Sequence, residues 1–498
     1  MSDDFSFDPN QESPEDLFEK GNYYYFRKNG KNDFKKALKF WQLAAEKGHP
    51  GAQLLVSQAY LKGDGLNRDL QASYDWLVKS AQGGNLDSQT LLAKAYLSGQ
   101  PYQEKNLSKG LELLHEAADQ GQLEAQLSLA RMYTKGKNLE QSLAQAAKYW
   151  LLAANQGHKE AQLKIGLAYQ NGDGVEKDPV QAVKFFRQAA LQGEPKAQHF
   201  VGLAYLYGDG VEEDPFQAFK YFQLAANQNL MEAQHYVGWA YSEGVGVKLD
   251  PAHGLKYWRL AAEQGFPPAQ LCLGNAHLKG LVVKQDLEKA VKYWHLAADQ
   301  GQLDAQFNLA QSYYHGRGLK KDLDQAVKYW LLAAEQGHLD AQFNLGVVYF
   351  TGDGVEKDLA QGLKYTKMAA DSGHLIATFN LGQAYYHGHG VERDRHKSFE
   401  YFRHAANQGL SEAQFCLGLL YHDGHGVEKD LGQAVNLWLQ AAHKGNQQAQ
   451  LYLGQAYQNG DGVEKNLAQA FKYYKQAAQN GHKEAEEKLR DLEPQLVI

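Results

Sequence analysis

Apolar residues along this chain recur at helical offsets, and the whole pattern returns every 36 residues. The pair Ala-Gln stands at Ala125, Ala161, Ala197, Ala233, Ala269, Ala305, Ala341, Ala413 and Ala449, inside a frame close to A-Q-x-x-L-G-x-A-Y. Such self-similarity marks one supersecondary unit laid down in tandem. Ala52 and Ser88 begin earlier copies, Ala377 fills the gap, and Asp16 with Gly21, Tyr23 and Tyr24 opens a degenerate first unit. Thirteen units result, and Ala485 starts one more first helix that reads as a cap.

Within one unit, residues 341–352 place Ala341, Leu345, Val348 and Tyr349 at helical offsets, and Gly352 with Gly354 ends the run. This predicts a helix A. Residues 358–373 restart at Asp358, an N-cap candidate, carry Leu359, Leu363, Met368 and Ala369, and stop at Gly373. This predicts a helix B, and Pro179, Pro215 and Pro251 fit its first position, where a missing N–H costs nothing. A lone helical pair cannot bury enough apolar surface to offset its ordering entropy, so the units must stack against their neighbours. The expected fold is an all-α solenoid of 13 helix-turn-helix repeats over 16–481, preceded by a disordered acidic tail at 1–15 and closed by a capping helix and tail at 482–498.

Two fixed positions carry the packing. Gly166, Gly202, Gly238, Gly274, Gly346, Gly382, Gly418 and Gly454 share one helix A site, which predicts that a neighbouring backbone or aromatic ring passes close there. Trp41, Trp76, Trp150, Trp258, Trp294, Trp330 and Trp438, with Phe186, Phe222, Phe402 and Tyr474, share one helix B site and read as core.

Composition removes several function classes. The net charge is −7 and the 51 basic residues are spread over all repeats, so no footprint for a phosphate backbone is present. Apolar runs reach only about eight residues, as at 200–207, too short for a bilayer span. The N-terminus lacks the basic and apolar regions of a cleavable signal. Cys272 and Cys416 occupy the same helix A position four repeats apart, too far for a bridge, which fits a reducing, cytoplasmic setting.

The unit A-x-x-x-L-G-x-x-Y-x-x-G-x-G-V, followed by D-x-x-x-A-x-x-Y/W-x-x-x-A-A-x-x-G, resembles the Sel-one-like repeat (SLR), a relative of the tetratricopeptide repeat. Ala161, Gly166, Tyr169, Gly172, Gly174, Val175, Asp178, Ala182, Phe186, Ala189, Ala190 and Gly193 follow it in one copy, with Ile165 in place of leucine, and the likeness runs from residue 16 to 491. The resemblance implies a right-handed superhelix with helix A on the concave face and helix B on the convex one. It also implies a non-enzymatic scaffold or adaptor that binds protein or peptide partners. A secreted, cysteine-rich branch of the family is not matched, because this chain has no cysteine ladder.

With helix A facing inward, the expected inner positions lie two, six, nine and ten residues after each frame alanine. They read Phe307, Gln311, Tyr314 and His315; Phe343, Val347, Phe350 and Thr351; Phe379, Gln383, Tyr386 and His387; Phe415, Leu419, His422 and Asp423. A strip of aromatics and glutamines suits a polypeptide, so a peptide groove is expected across 305–423. The competing reading packs the Phe side chains between adjacent A helices, which leaves Tyr314, Phe350 and Tyr386 as the stronger candidates. Earlier units give His199, Leu203, Leu206 and Tyr207, then His235, Trp239, Ser242 and Glu243, with Trp239 the one tryptophan on this stripe.

Other constellations carry little chemistry. His387, His389, His422 and His425 lie in neighbouring loops, yet His49, His158, His338, His374 and His482 show that histidine is common after the inter-unit glycine, so these read as solvated loop residues and no metal is assigned. The G-D-G-V segments lack the Lys-Ser/Thr of a P-loop and the ligand spacing of a calcium loop, and read as turns. No nucleophile elbow, H-E-x-x-H or C-x-x-C occurs, so neither a catalytic group nor a cofactor is expected. Breaks in the pattern are Trp239, Arg131 and the loop at Gln100, Pro101 and Tyr102. The terminal LEPQLVI, with Glu484, Glu486 and Glu487, is open to reading as a docking motif or an export signal. The alternatives to a cytoplasmic scaffold are thus a bacterial effector delivered to host cells and a hydrolase with an unrecognised site.

Overall fold

The computed structural model describes residues 11–26, 33–101, 104–280 and 282–493. Twenty-seven α-helices and no strand occur among them, running from Pro14–Tyr25 to Lys483–Leu492. In the 161 frame, helix A is Lys159–Asn171 and helix B is Pro179–Leu191, and the same pairing recurs throughout. The chain is an all-α repeat solenoid. It divides into two compact units, residues 1–254 and 255–498, each built from these pairs. The first helix begins inside the segment expected to be a tail, with the Ser13 side chain accepting from the Asp16 N–H. Residues 1–10, Tyr102 and the end of the C-terminal LEPQLVI lie outside the described residues.

Caps fix where most of the helices start and stop. Asp178 and Asp214 each accept two backbone N–H groups at the start of a B helix, directly before Pro179 and Pro215. Helix A ends on a left-handed glycine such as Gly172 (φ 84°) or Gly352 (φ 79°). The histidines after the inter-unit glycine are caps too, contrary to a solvated-loop reading. Nδ1 of His49, His158, His338, His374 and His482 each accepts the N–H three residues on, at 3.0 to 3.4 Å. An imidazole supplies the acceptor that Asn85 and Asn446 supply at the same site in other repeats.

The two packing positions meet each other. A Cβ built on Gly202 would come within 2.6 Å of the Phe222 ring, and one on Gly382 within 2.7 Å of Phe402. Gly166, Gly274, Gly418 and Gly454 face Phe186, Trp294, Trp438 and Tyr474 in the same way. These rings are almost wholly buried, as are Trp41, Trp150 and Trp330, whereas Trp258 is half-buried, and Trp76, also half-buried, stands one residue before the shared site, which Leu77 fills. The glycine of helix A is thus the space that the helix B aromatic occupies, a size match made within one repeat.

A second device runs between repeats. The glutamine after most frame alanines is buried, and its Nε2 donates back to the preceding helix B, as from Gln126 to Ala118 O at 3.0 Å and from Gln306 to Ala298 O at 3.3 Å. Its Oε1 accepts from the glutamine that closes helix B of its own repeat, as Gln156 to Gln126 and Gln192 to Gln162 at 2.8 Å, and Gln336 to Gln306 at 2.9 Å. Where the second glutamine is missing the acceptor is left over. Gln342 Oε1 is buried with no partner, and Ser372 stands where Gln336 stands one repeat earlier. Ser372→Gln restores the donor, so urea unfolding should show a gain of about 1 kcal/mol, with no gain for Ser372→Ala.

Candidate interaction faces

At about 100° per residue, the solvent face of helix A centres on positions one before and three, six and ten after the frame alanine. Positions two and nine turn inward instead, toward the following repeat or helix B of their own. Phe307 stacks on His338 with ring centroids 4.3 Å apart, and Phe343 stacks on His374 at 4.5 Å. Tyr314 lies 5.2 Å from the Trp330 ring and donates to Asp353 Oδ2 at 2.5 Å, and Tyr386 Oη is 3.4 Å from His425 Nδ1. The hydrogen bond to Asp353, then burial, pushes the Tyr314 phenol above its ordinary value. Phe379 tilts against Phe402, and Phe350 packs over Gly362. All six rings are half-buried, and their main contacts are internal.

The other candidates lie on the open stripe. His315 and His387 are exposed, and Gln311, Gln383 and Trp239 are half-buried. The geometry adds the third position, which the periodicity did not flag. There Asn308, Asn344 and Asn380 stand on three successive A helices of the second unit. Asn308 Nδ2 donates to Asn275 Oδ1 at 3.3 Å, whereas Asn344, Asn380, Gln311 and Gln383 make no side-chain hydrogen bond among the described residues. Across helices 303–315, 339–351 and 375–387 the third, sixth and tenth positions are therefore Asn, Gln or Val, and His or Thr, without a carboxylate, lysine or arginine. A signal for this was present in the thrice-repeated Phe-Asn-Leu of 307–309, 343–345 and 379–381.

The first unit differs. Its third, sixth and tenth positions hold Lys94, Arg131, Lys135 and Lys164, then Phe200, Leu203, Tyr207, Tyr236 and Trp239. His199, expected on the inner stripe, is buried between Phe222 at 5.6 Å and Tyr236 at 5.4 Å. Burial pushes its pKa down to about 4, with nearby Glu232 opposing, and His235 is lowered to about 4 for the same reason.

Groups that suggested chemistry have structural surroundings. Burial raises the thiols of Cys272 and Cys416 to about 12, which leaves them protonated and unreactive at neutral pH. No cluster of three metal-ligating side chains occurs among the described residues. Nor is any described helix long and apolar enough to cross a membrane.

The Sel1 repeat family model matches this chain thirteen times in succession, from 18–49 to 447–482. A search of curated proteins finds no match. Among solved structures, the chain is similar to c5321, a protective antigen present in uropathogenic Escherichia coli strains displaying an SLR fold. The two are 31% identical over 92% of this chain and 90% of that one, with a TM-score of 0.62. It is also similar to a Sel1 repeat protein from Oxalobacter formigenes, 34% identical over 62% of this chain and 89% of that one, with a TM-score of 0.47. Paired helices on a 36-residue period, recurring glycine–aromatic contacts within repeats, and thirteen matched repeats lead to one conclusion: the chain belongs to the Sel1 repeat family.

Proposed function

We propose that the protein is a non-enzymatic scaffold that holds a partner polypeptide on the A-helix face of residues 305–423. Proteins built from Sel1 and tetratricopeptide-like repeats generally mediate protein–protein interactions. The observation that carries the reading is the row of open amides. Gln311, Asn344, Asn380 and Gln383 each offer a donor and an acceptor to solvent, spend neither inside the protein, and recur once or twice per repeat. A side-chain amide of this kind matches the N–H and C=O of an extended main chain. The half-buried rings of Phe307, Phe343, Phe379, Tyr314, Phe350 and Tyr386, fixed by their internal contacts, form rigid walls beside it.

The test is affinity capture from the native cell with the intact chain and with Asn344→Ala/Asn380→Ala. Two lost hydrogen bonds of about 1 kcal/mol each weaken a partner about 30-fold. Because neither amide is bonded in the free protein, thermal unfolding should stay within about 0.5 kcal/mol of the parent. Undiminished capture by the double variant removes the proposal.

A further inference from the structure

We propose that the A-helix face of residues 86–243 is a second interaction surface, fitted to an extended polypeptide segment that sets acidic residues beside a large apolar one. It lies wholly within the first unit and is separate from the amide row. Its two halves have different chemistry.

On helices 86–98, 123–135 and 159–171 the third, sixth and tenth positions carry four cations, Lys94, Arg131, Lys135 and Lys164, and no carboxylate. The acids of these helices fill the remaining position of the same face, one residue before the frame alanine or its equivalent and so at its N-terminal end, as Asp87, Glu124 and Glu160. Lys94 reaches Glu124 at 2.6 Å and Arg131 reaches Glu160 at 2.5 Å, each pair two-fifths to one-half exposed. Exposed pairs of this kind contribute little to folding and open readily. Lys135 and Lys164 form no ion pair among the described residues. The middle of this half therefore favours anions, most strongly near Lys135 and Lys164.

On helices 195–207 and 231–243 five of the same six positions turn aromatic or apolar, Phe200, Leu203, Tyr207, Tyr236 and Trp239, the sixth being Glu243. Tyr207 is 64% exposed, so its ring is open to a ligand. The floor beneath is stiff. Phe200 stacks on Phe186 at 5.0 Å, Tyr236 stacks on Phe222 at 4.9 Å, and Trp239 meets the edge of Tyr236 at 6.4 Å. Aromatics already held in place lose little entropy on binding, which is what makes them anchors. Glu243 lies at the far end and Lys196 and Glu232 at the N-terminal end, so a ligand's apolar side chain meets no charge in the centre of this half.

A cationic stretch leading into an aromatic one selects an acidic stretch leading into an apolar anchor. Basic and aromatic groups together also suit single-stranded nucleic acid, but the acids at the N-terminal end of the face and the overall charge of −7 oppose a continuous phosphate chain. We therefore assign the surface to polypeptide.

Fluorescence anisotropy on the intact protein tests this with a labelled 12-residue peptide carrying four Glu followed by Phe and Leu. Comparison ligands are its Glu-to-Gln form, its Phe/Leu-to-Ser form, and single-stranded oligo-dT. The acidic–apolar peptide is expected to bind, both altered peptides to bind at least about tenfold more weakly, and added salt to weaken the acidic peptide alone. Lys135→Glu/Lys164→Glu should reduce its binding about tenfold while leaving the Gln form unchanged. Trp239→Ala should weaken both in proportion to the lost anchor. Absence of peptide binding at about 1 mM, indifference to Lys135→Glu/Lys164→Glu, or tighter binding of oligo-dT would each overturn the assignment.

Discussion

Gly210→Ala is expected to cost about 4 kcal/mol of stability, although it adds one methyl group to a loop. Gly210 has φ +73°, a backbone conformation that alanine adopts at a cost of roughly 1–2 kcal/mol. The larger part comes from position. A Cβ there would lie inside the van der Waals shell of the Pro179 carbonyl, the first turn of helix B in the preceding repeat, and neither backbone can move without shifting a helix. Gly174, Gly246, Gly426 and Gly462 stand against the equivalent first residue of a helix B, at Leu143, Pro215, Arg395 and Leu431. The G-x-G loops are thus contact points between repeats, and their second glycine is the point of closest approach. Gly193 separates the two contributions, since its φ is +81° and nothing lies within 4 Å of its Cβ. Gly193→Ala should therefore cost only the conformational part, about 1 kcal/mol. Urea denaturation of both variants checks the difference. Equal losses would mean that the loop does not bear on its neighbour.

That contact explains what could and could not be seen in the chain beforehand. A 36-residue period, a capping aspartate before Pro179 and a glycine opposite an aromatic are local or strictly periodic, so the helices, their ends and the Gly202–Phe222 kind of pairing were legible. Contacts made between repeats need the angle at which one helix faces the next, and periodicity alone leaves that angle free. The inner stripe was accordingly expected on positions two, six, nine and ten. In the structure, positions two and nine pack against the next repeat or their own helix B and position three opens, a rotation of about 45° at 100° per residue. This moves Phe307 and Phe343 onto His338 and His374 and brings Asn344 and Asn380 into view. The glutamine ladder was equally hidden. Its two halves, Gln126 and Gln156, are 30 residues apart, and each looks like an ordinary polar residue until the antiparallel pairing of the two helices sets them 2.8 Å apart. The histidine caps show the same thing at short range, because His338 reads as a loop residue unless imidazole is admitted as an N-cap acceptor.

Acidification should destabilise the first unit through His199 and His235, by about 2 kcal/mol each between pH 8 and pH 5. Both imidazoles are neutral in the folded protein and resist protonation until about pH 4, because burial, for His199 among Phe200, Phe222 and Tyr236 and for His235 beside Tyr236, leaves the cation short of water. In the unfolded chain they take a proton near pH 6.5. The unfolded state therefore binds more protons than the native state between about pH 6.5 and 4, so stability is complete above that window and falls as pH drops through it. Glu232 opposes the loss at His199, while the neighbouring His199 adds to it at His235. Carboxylates elsewhere also titrate below pH 5, so the histidine contribution is isolated by a variant rather than by the raw profile. Leucine occupies the position of His199 and His235 at Leu127, Leu163 and Leu451, all buried. His199→Leu/His235→Leu should keep or raise stability at pH 8 and remove most of the decline between pH 7 and 5. The measurement is urea unfolding followed across that range. If the double variant loses stability with the same slope as the parent, the two imidazoles are not what makes this stretch of the solenoid sensitive to acid.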